Sequence, residues 1–312
     1  MERIAVVGAG MIGRAWSMVF ARAGYPVVLY DVNPAVLEPA VQQIEQSLGD
    51  LHAQGLVSEP ANVIRKRVTT AASLQDALRD ATYVQENALE KVDAKREVFR
   101  EMDSVARPEA ILASSTSGIP ASSFTADLPG RRRALVAHPI NPPSIVPLVE
   151  IVPAPWTDAA VVARTKALME AIGQVPIVVN RELKGFIVNR LQGALLNEAF
   201  SLIEQGYVSA EDLDKAVKDG LGLRWSFMGP FETIDLNAPG GLRDYCGRYG
   251  PLYYDVAKEA VAKPWSDELI GKVESERLQM LPATDRPARQ GWRDRRLMGL
   301  IAHKRAATRK DE

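Results

Sequence analysis

The chain holds three histidines, His52, His138 and His303. An imidazole titrates near neutrality, so it is the side chain best suited to take a proton from a hydroxyl group at physiological pH. His52 falls in a helical stretch and His303 in a basic tail, and both read as plain surface residues. His138 differs, because it directly follows the apolar run Ala134 to Ala137, which has the length of a buried strand. In open parallel sheets, ligands gather at the carboxyl ends of strands. Further on, Glu150 interrupts a second apolar run, Leu148-Val149-Glu150-Ile151-Val152. A carboxylate buried there without a partner would be costly. Pairing with His138 removes that cost, fixes the ring tautomer and favours an imidazolium. The chemistry of such a pair is proton abstraction from an alcohol as hydride leaves its carbon. An ordinary loop histidine and a strand glutamate bonded elsewhere are the plain alternatives.

Hydride needs an acceptor, and the N-terminus carries the pattern of one. Gly8-Ala9-Gly10-Met11-Ile12-Gly13 follows an apolar strand, opens a helix, and is succeeded by Asp31 at the end of the next strand. Those three conditions together make the glycine pattern specific. Gly8 permits the tight turn, Gly10 lets backbone approach a pyrophosphate, and Gly13 allows close helix–strand packing. The helix start at Met11 and Ile12 offers unpaired amides and a positive dipole end to phosphates. Asp31 should accept hydrogen bonds from the adenine ribose and repel a 2′-phosphate, which favours NAD over NADP. A glycine turn with a solvent-facing Asp31 is the bland reading. NAD is the one cofactor expected, with no metal.

The bulk composition is that of a soluble globular chain. Its 312 residues imply two packed domains, and 46% hydrophobic with 25% charged residues excludes a disordered one. A net charge of −1 gives no electrostatic case for nucleic acid or a membrane surface. The single Cys246 cannot form an intrachain disulfide. No apolar run approaches the roughly 18–20 residues of a membrane span, and no export signal opens the sequence. A cytoplasmic location is the expectation.

The elements that must position these residues alternate. Strands are expected at 3–7, 27–30, 82–85, 110–113, 134–137 and 148–152, with helices at 12–23, 34–67 (broken near Gly55 to Pro60) and 94–106. That alternation implies an α/β fold with a Rossmann-type, doubly wound, mainly parallel sheet. After a helix at 159–172 and a strand at 175–179, the chain reads as almost entirely helical, with Ser209-Ala210-Glu211-Asp212 as a capping box. The expected division is therefore 1–180 for the NAD-binding domain and 181–312 for a C-terminal all-helical domain serving substrate and dimerisation. The basic stretch Arg289 to Lys310, with Trp292, Leu297, Leu300 and Ile301 interleaved, reads as a solvated helix packed by one stripe on its own domain. Leu191, Leu195, Leu196, Phe200 and Ile203 give another helix an apolar face suited to core or interface.

Taken together, these segments resemble the 3-hydroxyacyl-CoA dehydrogenase superfamily, and more narrowly its lambda-crystallin or L-gulonate 3-dehydrogenase branch. The resemblance rests on the glycine loop, EKVDAK (Glu90 to Lys95), Ser114-Ser115-Thr116-Ser117, AHPINPP (Ala137 to Pro143), PLVEIV (Pro147 to Val152) and GFIVNRLQ (Gly185 to Gln192). GLGLRWSFMGPFET (Gly220 to Thr233) and the late Trp292-Arg293-Asp294 distinguish the branch. The resemblance implies a His138–Glu150 dyad, with Ser117 and Asn189 on the substrate oxygen. It also implies Glu90, Lys95, Ser117 and Asn141 beside the nicotinamide half of the cofactor, and a homodimer through the helical domain. Ser115 stands where the fatty-acid enzymes usually carry asparagine, a departure toward the lambda-crystallin branch.

On the residues alone, Ser117 reads equally as a turn serine, and Asn189, in an apolar helical run from Phe186 to Ala194, as a structural amide. Arg224 bears on the substrate. A planar guanidinium suits a carboxylate bidentately, as a small 3-hydroxy acid requires and an acyl-CoA thioester does not. Trp225 beside it could pack on substrate or on a quaternary ammonium group; an interface arginine and a core tryptophan are the alternatives. The function expected is NAD-dependent oxidation of a 3-hydroxyl, with L-gulonate to 3-dehydro-L-gulonate first, then 3-hydroxyacyl-CoA and carnitine. A crystallin-like structural protein or NAD-binding protein without turnover is the reading of a different class.

Overall fold

The computed structural model describes residues 2–260 and 263–311. Eight strands form one sheet: β1 (Ile4–Val7), β2 (Val27–Tyr30), β3 (Val68–Thr70), β4 (Tyr83–Glu86), β5 (Ile111–Ser114), β6 (Ala134–Pro139), β7 (Leu148–Pro153) and β8 (Val175–Val178). Their spatial order is β3-β2-β1-β4-β5-β6-β7-β8. From β3 to β6 every pairing is parallel; β7 runs antiparallel to β6, and β8 parallel to β7. The order reverses at β1, whose neighbours are β2 and β4, so the crevice of a doubly wound sheet opens between the carboxyl ends of β1 and β4.

Helices cover both faces, so the inner strands read as mostly apolar runs instead of alternating, with polar residues near the carboxyl ends of β4 and β5. Ile4 and Val6 pack into one core cluster, Ala5 and Val7 into the other. The sequence leaves β3 unforeseen. Of Val68-Thr69-Thr70 only Val68 is buried, so no hydrophobic pattern marks it; its pairing with β2 from Val27↔Val68 onward makes it a strand.

Tertiary contacts divide the chain into two units. One runs up to Arg190 and includes the chain from Arg293 onward; the other spans Leu191–Trp292. This differs from the division at residue 180 at both ends. The helix Arg286–Asp311 explains the later difference. Its Met298 is buried in the first unit's core, with Leu297, Ile301 and Ala302 packed beside it. Arg305 donates to the Leu56 carbonyl at 3.2 Å. The basic stretch thus packs by one stripe, as expected, but on the first unit; Leu300 stays 43% exposed.

Among its described residues the second unit has helices and no strand; between Glu204 and Arg286 its α-helices run from Ala210–Lys215 to Asp267–Met280. Ser209 caps the first of these helices by accepting from the Asp212 amide at 3.1 Å. Its buried cluster is small, Ile203, Ala210 and Leu269, flanked by Phe200, Val208, Leu213 and Val273. Leu191, Phe227 and Phe231 remain exposed. No helix among the described residues is long and apolar enough to cross a membrane.

Candidate active site

His138 and Glu150 face each other directly in the antiparallel register of β6 and β7. His138 is therefore the penultimate residue of its strand and does not follow it. Opposed residues of such a pair share a face, with Cβ atoms only about 5 Å apart. His138 Nδ1 lies 2.7 Å from Glu150 Oε2, and Glu150 is fully buried. Its other oxygen, Oε1, accepts from the Ile187 amide at 2.8 Å and the Val188 amide at 3.1 Å.

Those amides converge because the chain turns through two left-handed residues, Gly185 (φ 76°) and Phe186 (φ 50°), before the helix Val188–Glu204. Successive amides presented this way form an anion-binding concavity. Phe186 tolerates a positive φ because its ring is wholly buried, 5.5 Å from the His138 ring centroid. Burial pushes the Glu150 carboxyl up. Hydrogen bonds from His138, Val188 and Ile187, with the charge of the imidazole, outweigh it and hold the group below the usual carboxylate range. An ionised carboxylate only accepts, so Nδ1 carries a hydrogen, and in the proton-accepting form of the ring Nε2 is the atom with the free lone pair.

Ser117 is exposed beyond the end of β5, and its backbone is clamped from two sides. Asn189 Nδ2 donates to the Ser117 carbonyl at 2.5 Å. Glu90 Oε1 accepts from Thr116 Oγ1 (2.5 Å), the Ser117 amide (2.9 Å), Ser117 Oγ (3.2 Å) and the Gly118 amide (3.3 Å). Asn189 sits in the first turn of its helix, half-buried, not in the middle of an apolar run. Lys95 departs more from expectation. Its side chain is 1% exposed, with Nζ 3.1 Å from both Glu86 oxygens and 3.7 Å from Glu90 Oε2, so it meets carboxylates and presents no surface to a ligand. Asn141 is exposed just past β6.

At the β1–β4 crevice lies a groove of about 490 Å³ whose lining includes Gly8, Gly10, Asp31, Asn87 and Val98. Gly8 has φ 96°, and a Cβ there would meet the Asn87 carbonyl oxygen at 2.9 Å; a Cβ on Gly13 would lie 1.8 Å from the Gly8 oxygen. A Cβ on Gly10 would meet no protein atom within 4 Å; it would fill the space that a phosphate approaching the backbone needs. The helix Met11–Arg22 has neither a side-chain cap nor an acid in its first turn, which leaves its first amides for an anion. Asp31 accepts from the Ala9 amide at 2.7 Å and the Asn33 amide at 2.9 Å. These features fit a dinucleotide.

Residues 3–183 match the NAD binding domain of 3-hydroxyacyl-CoA dehydrogenase, and residues 185–274 match its C-terminal domain. The chain belongs to the 3-hydroxyacyl-CoA dehydrogenase family.

Lambda-crystallin of Oryctolagus cuniculus is 39% identical over 307 residues, 97% of this chain and 96% of that protein. L-carnitine dehydrogenase of Streptomyces coelicolor is 35% identical over 267 residues, 85% of this chain and 80% of that protein. Among solved structures, an NAD+-dependent 5-formyl-3-hydroxy-2-methylpyridine 4-carboxylic acid 5-dehydrogenase superposes with a TM-score of 0.84 at 29% identity, covering 98% of each chain. This member of the family is an NAD-dependent oxidoreductase acting on a CH–OH group.

Two buried networks beneath this dehydrogenase site escape a reading by sequence. Glu86, fully buried, holds Lys95 and accepts from Ser114 Oγ and the Ala88 amide, each at 2.5 Å. Ser115 Oγ accepts from Trp16 Nε1 (3.0 Å) and Gln85 Nε2 (2.7 Å) and donates to Asn87 Oδ1 (2.7 Å). The available signal was polar residues at strand ends, Gln85-Glu86-Asn87 and Ser114-Ser115, in otherwise apolar runs. Arg224 and Trp225 lie in the second unit, on the short helix Gly222–Trp225. Arg224 is half-buried and forms no ion pair among the described residues, and Trp225 is exposed.

Proposed function

We propose that the protein oxidises the 3-hydroxyl of a small 3-hydroxy acid with NAD, its substrate being L-gulonate and its product 3-dehydro-L-gulonate. The His138–Glu150 pair carries the reading of the reaction. NAD, when bound, supplies the hydride acceptor. His138 Nε2 takes the hydroxyl proton as the C3–H bond breaks, its two electrons leaving with the hydride, and the C3–O bond becomes a carbonyl. Glu150 keeps Nδ1 protonated and stabilises the imidazolium that results. Asn189 keeps a second amide hydrogen beyond the one given to Ser117, and it holds the reacting oxygen together with Ser117 Oγ, whose hydrogen turns from Glu90 to that oxygen.

In this reading Gly8, Gly10, Met11, Ile12 and Gly13 hold the pyrophosphate and Asp31 the adenine ribose. Glu90, Ser117 and Asn141 attend the nicotinamide half, while Lys95 acts through its carboxylates. Arg224 grips the substrate carboxylate and Trp225 packs on the substrate. Likeness to lambda-crystallin over nearly the whole chain supports the small acid. Likeness to an L-carnitine dehydrogenase, with Trp225 suited to a quaternary ammonium, supports carnitine as the second reading. A homodimer through the second unit is supported by its exposed Phe227, Phe231 and Tyr254, and a reducing, cytoplasmic setting by the free thiol of Cys246.

The test is NADH formation on L-gulonate, L-carnitine and 3-hydroxybutyryl-CoA. The highest kcat/KM on gulonate is expected. Preference for the CoA ester would overturn the small-acid reading.

A further inference from the structure

We propose that Glu86, which is too deep to touch the cofactor, sets the enzyme's relative affinity for NAD+ and NADH by holding Lys95 away from Glu90.

The order β2-β1-β4-β5-β6 puts five strand ends side by side along one edge of the sheet. They carry, in turn, Asp31, the glycine loop, the segment Glu86 to Glu90, the segment Ser114 to Ser117, and His138. A dinucleotide with its adenine ribose at Asp31 and its reactive ring near His138 must cross the ends of β4 and β5 with its nicotinamide half. Three charged groups linked by ion pairs stand there: Glu86, Lys95 and Glu90.

Two carboxylates and one ammonium leave one negative charge, and the geometry decides where it resides. Lys95 Nζ sits evenly between the Glu86 oxygens, 3.1 Å from each, and stands off from Glu90 at 3.7 Å. Ser114 Oγ and the Ala88 amide fix the Glu86 carboxylate in place. Glu86 and Lys95 are 0% and 1% exposed, whereas Glu90 is 44% exposed. Glu90, at the surface and reached by Lys95 only at 3.7 Å, is therefore the less compensated of the two carboxylates. The nicotinamide ring is cationic in NAD+ and neutral in NADH, so a negative charge beside it strengthens binding of the oxidised form alone. Glu86 acts here as a positioning residue: with its charge removed, Lys95 would turn wholly to Glu90 and neutralise it.

The proposal rests on the reading that the nicotinamide half passes Glu90, and the test separates the two. Dissociation constants of NAD+ and NADH are measured by titration calorimetry on the full chain, without turnover. Glu86→Gln should raise the ratio Kd(NAD+)/Kd(NADH) about tenfold. Glu86→Gln combined with Lys95→Met, which removes the pair but leaves Glu90 charged, should bring the ratio back within about threefold of wild type. Equal weakening of both forms by Glu86→Gln, or no recovery in the double variant, would overturn the proposal. If Glu86→Gln does not fold, Glu90→Gln carries the test with the buried pair intact, and the same rise is expected. Equal weakening of both forms by Glu90→Gln would overturn the tuning alone; no change in either constant would overturn the passage of the nicotinamide past Glu90 as well.

Discussion

His138 and Glu150 are twelve residues apart in the chain and directly opposite in the β6–β7 register, with Nδ1 2.7 Å from Oε2. The antiparallel turn-back of β7 is what brings them together. In a sheet that stayed parallel, β7 would enter from the far end and its Glu150 would face a different level of β6. The two amides of Ile187 and Val188 then hold the carboxylate's second oxygen, so the imidazole has one orientation and one tautomer.

Replacing His138 with alanine should lower kcat by about 10²–10⁴-fold, the usual worth of a positioned general base. NAD+ binding should survive, since the glycine groove lies at other strand ends. Turnover near the wild-type rate would remove His138 from proton transfer.

Glu150 makes folding depend on pH in a stated direction. Its folded carboxyl lies below the ordinary carboxylate range, so its contribution to stability is complete above the unfolded value of ~4.3 and is lost as pH falls through the folded value. Urea unfolding of the wild type between pH 6 and 3 should show that loss. Glu150→Gln should be less stable at pH 6 and flatter in acid, and its kcat should fall because the imidazolium loses its partner.

The glycines make contrasting predictions. Gly13→Ala places a Cβ against the Gly8 oxygen and should distort the loop, abolishing NAD binding and lowering the unfolding midpoint. Gly10→Ala meets no protein atom, so the variant should melt like wild type while its Kd for NAD+ rises at least tenfold. Unchanged affinity in the second variant would remove the phosphate from Gly10.

Arg224→Ala should raise KM for gulonate by about 10²-fold, the worth of a lost charged hydrogen-bonded contact, and change 3-hydroxybutyryl-CoA kinetics little. Equal loss on both substrates, in steady-state assays run in parallel, would end the carboxylate assignment.

Met298 tests the return of the C-terminal helix to the first unit. It is 7% exposed within that unit's core, so Met298→Ala should cost about 2–5 kcal/mol in denaturant unfolding. A cost near zero would mean that the helix contributes little to that core.

Much of this protein is legible in one dimension. Gly8 to Gly13 could be read because each glycine answers a local backbone need, and the strand before and Asp31 after lie within one short βαβ unit. The inner strands could be read because burial on both faces leaves runs such as Ile4 to Val7 with no polar residue. His138 stood out as an imidazole at a strand end, and Glu150 as a charge in an apolar strand whose cost demands a partner.

Tertiary structure decided the rest, wherever the deciding partner is remote. Edge pairing made Val68–Thr70 a strand, a contact no local pattern encodes. The side on which a stripe of Leu297, Met298 and Ile301 finds its core is not a property of the stripe, and this helix joins the unit where the chain began. Lys95 in the motif looks like any surface lysine, yet folding buries it against Glu86 and turns an expected ligand contact into one half of a buried ion pair. Local sequence specifies conformation and hydrophobic pattern; only the assembled sheet fixes which charges end up sharing the same dry space.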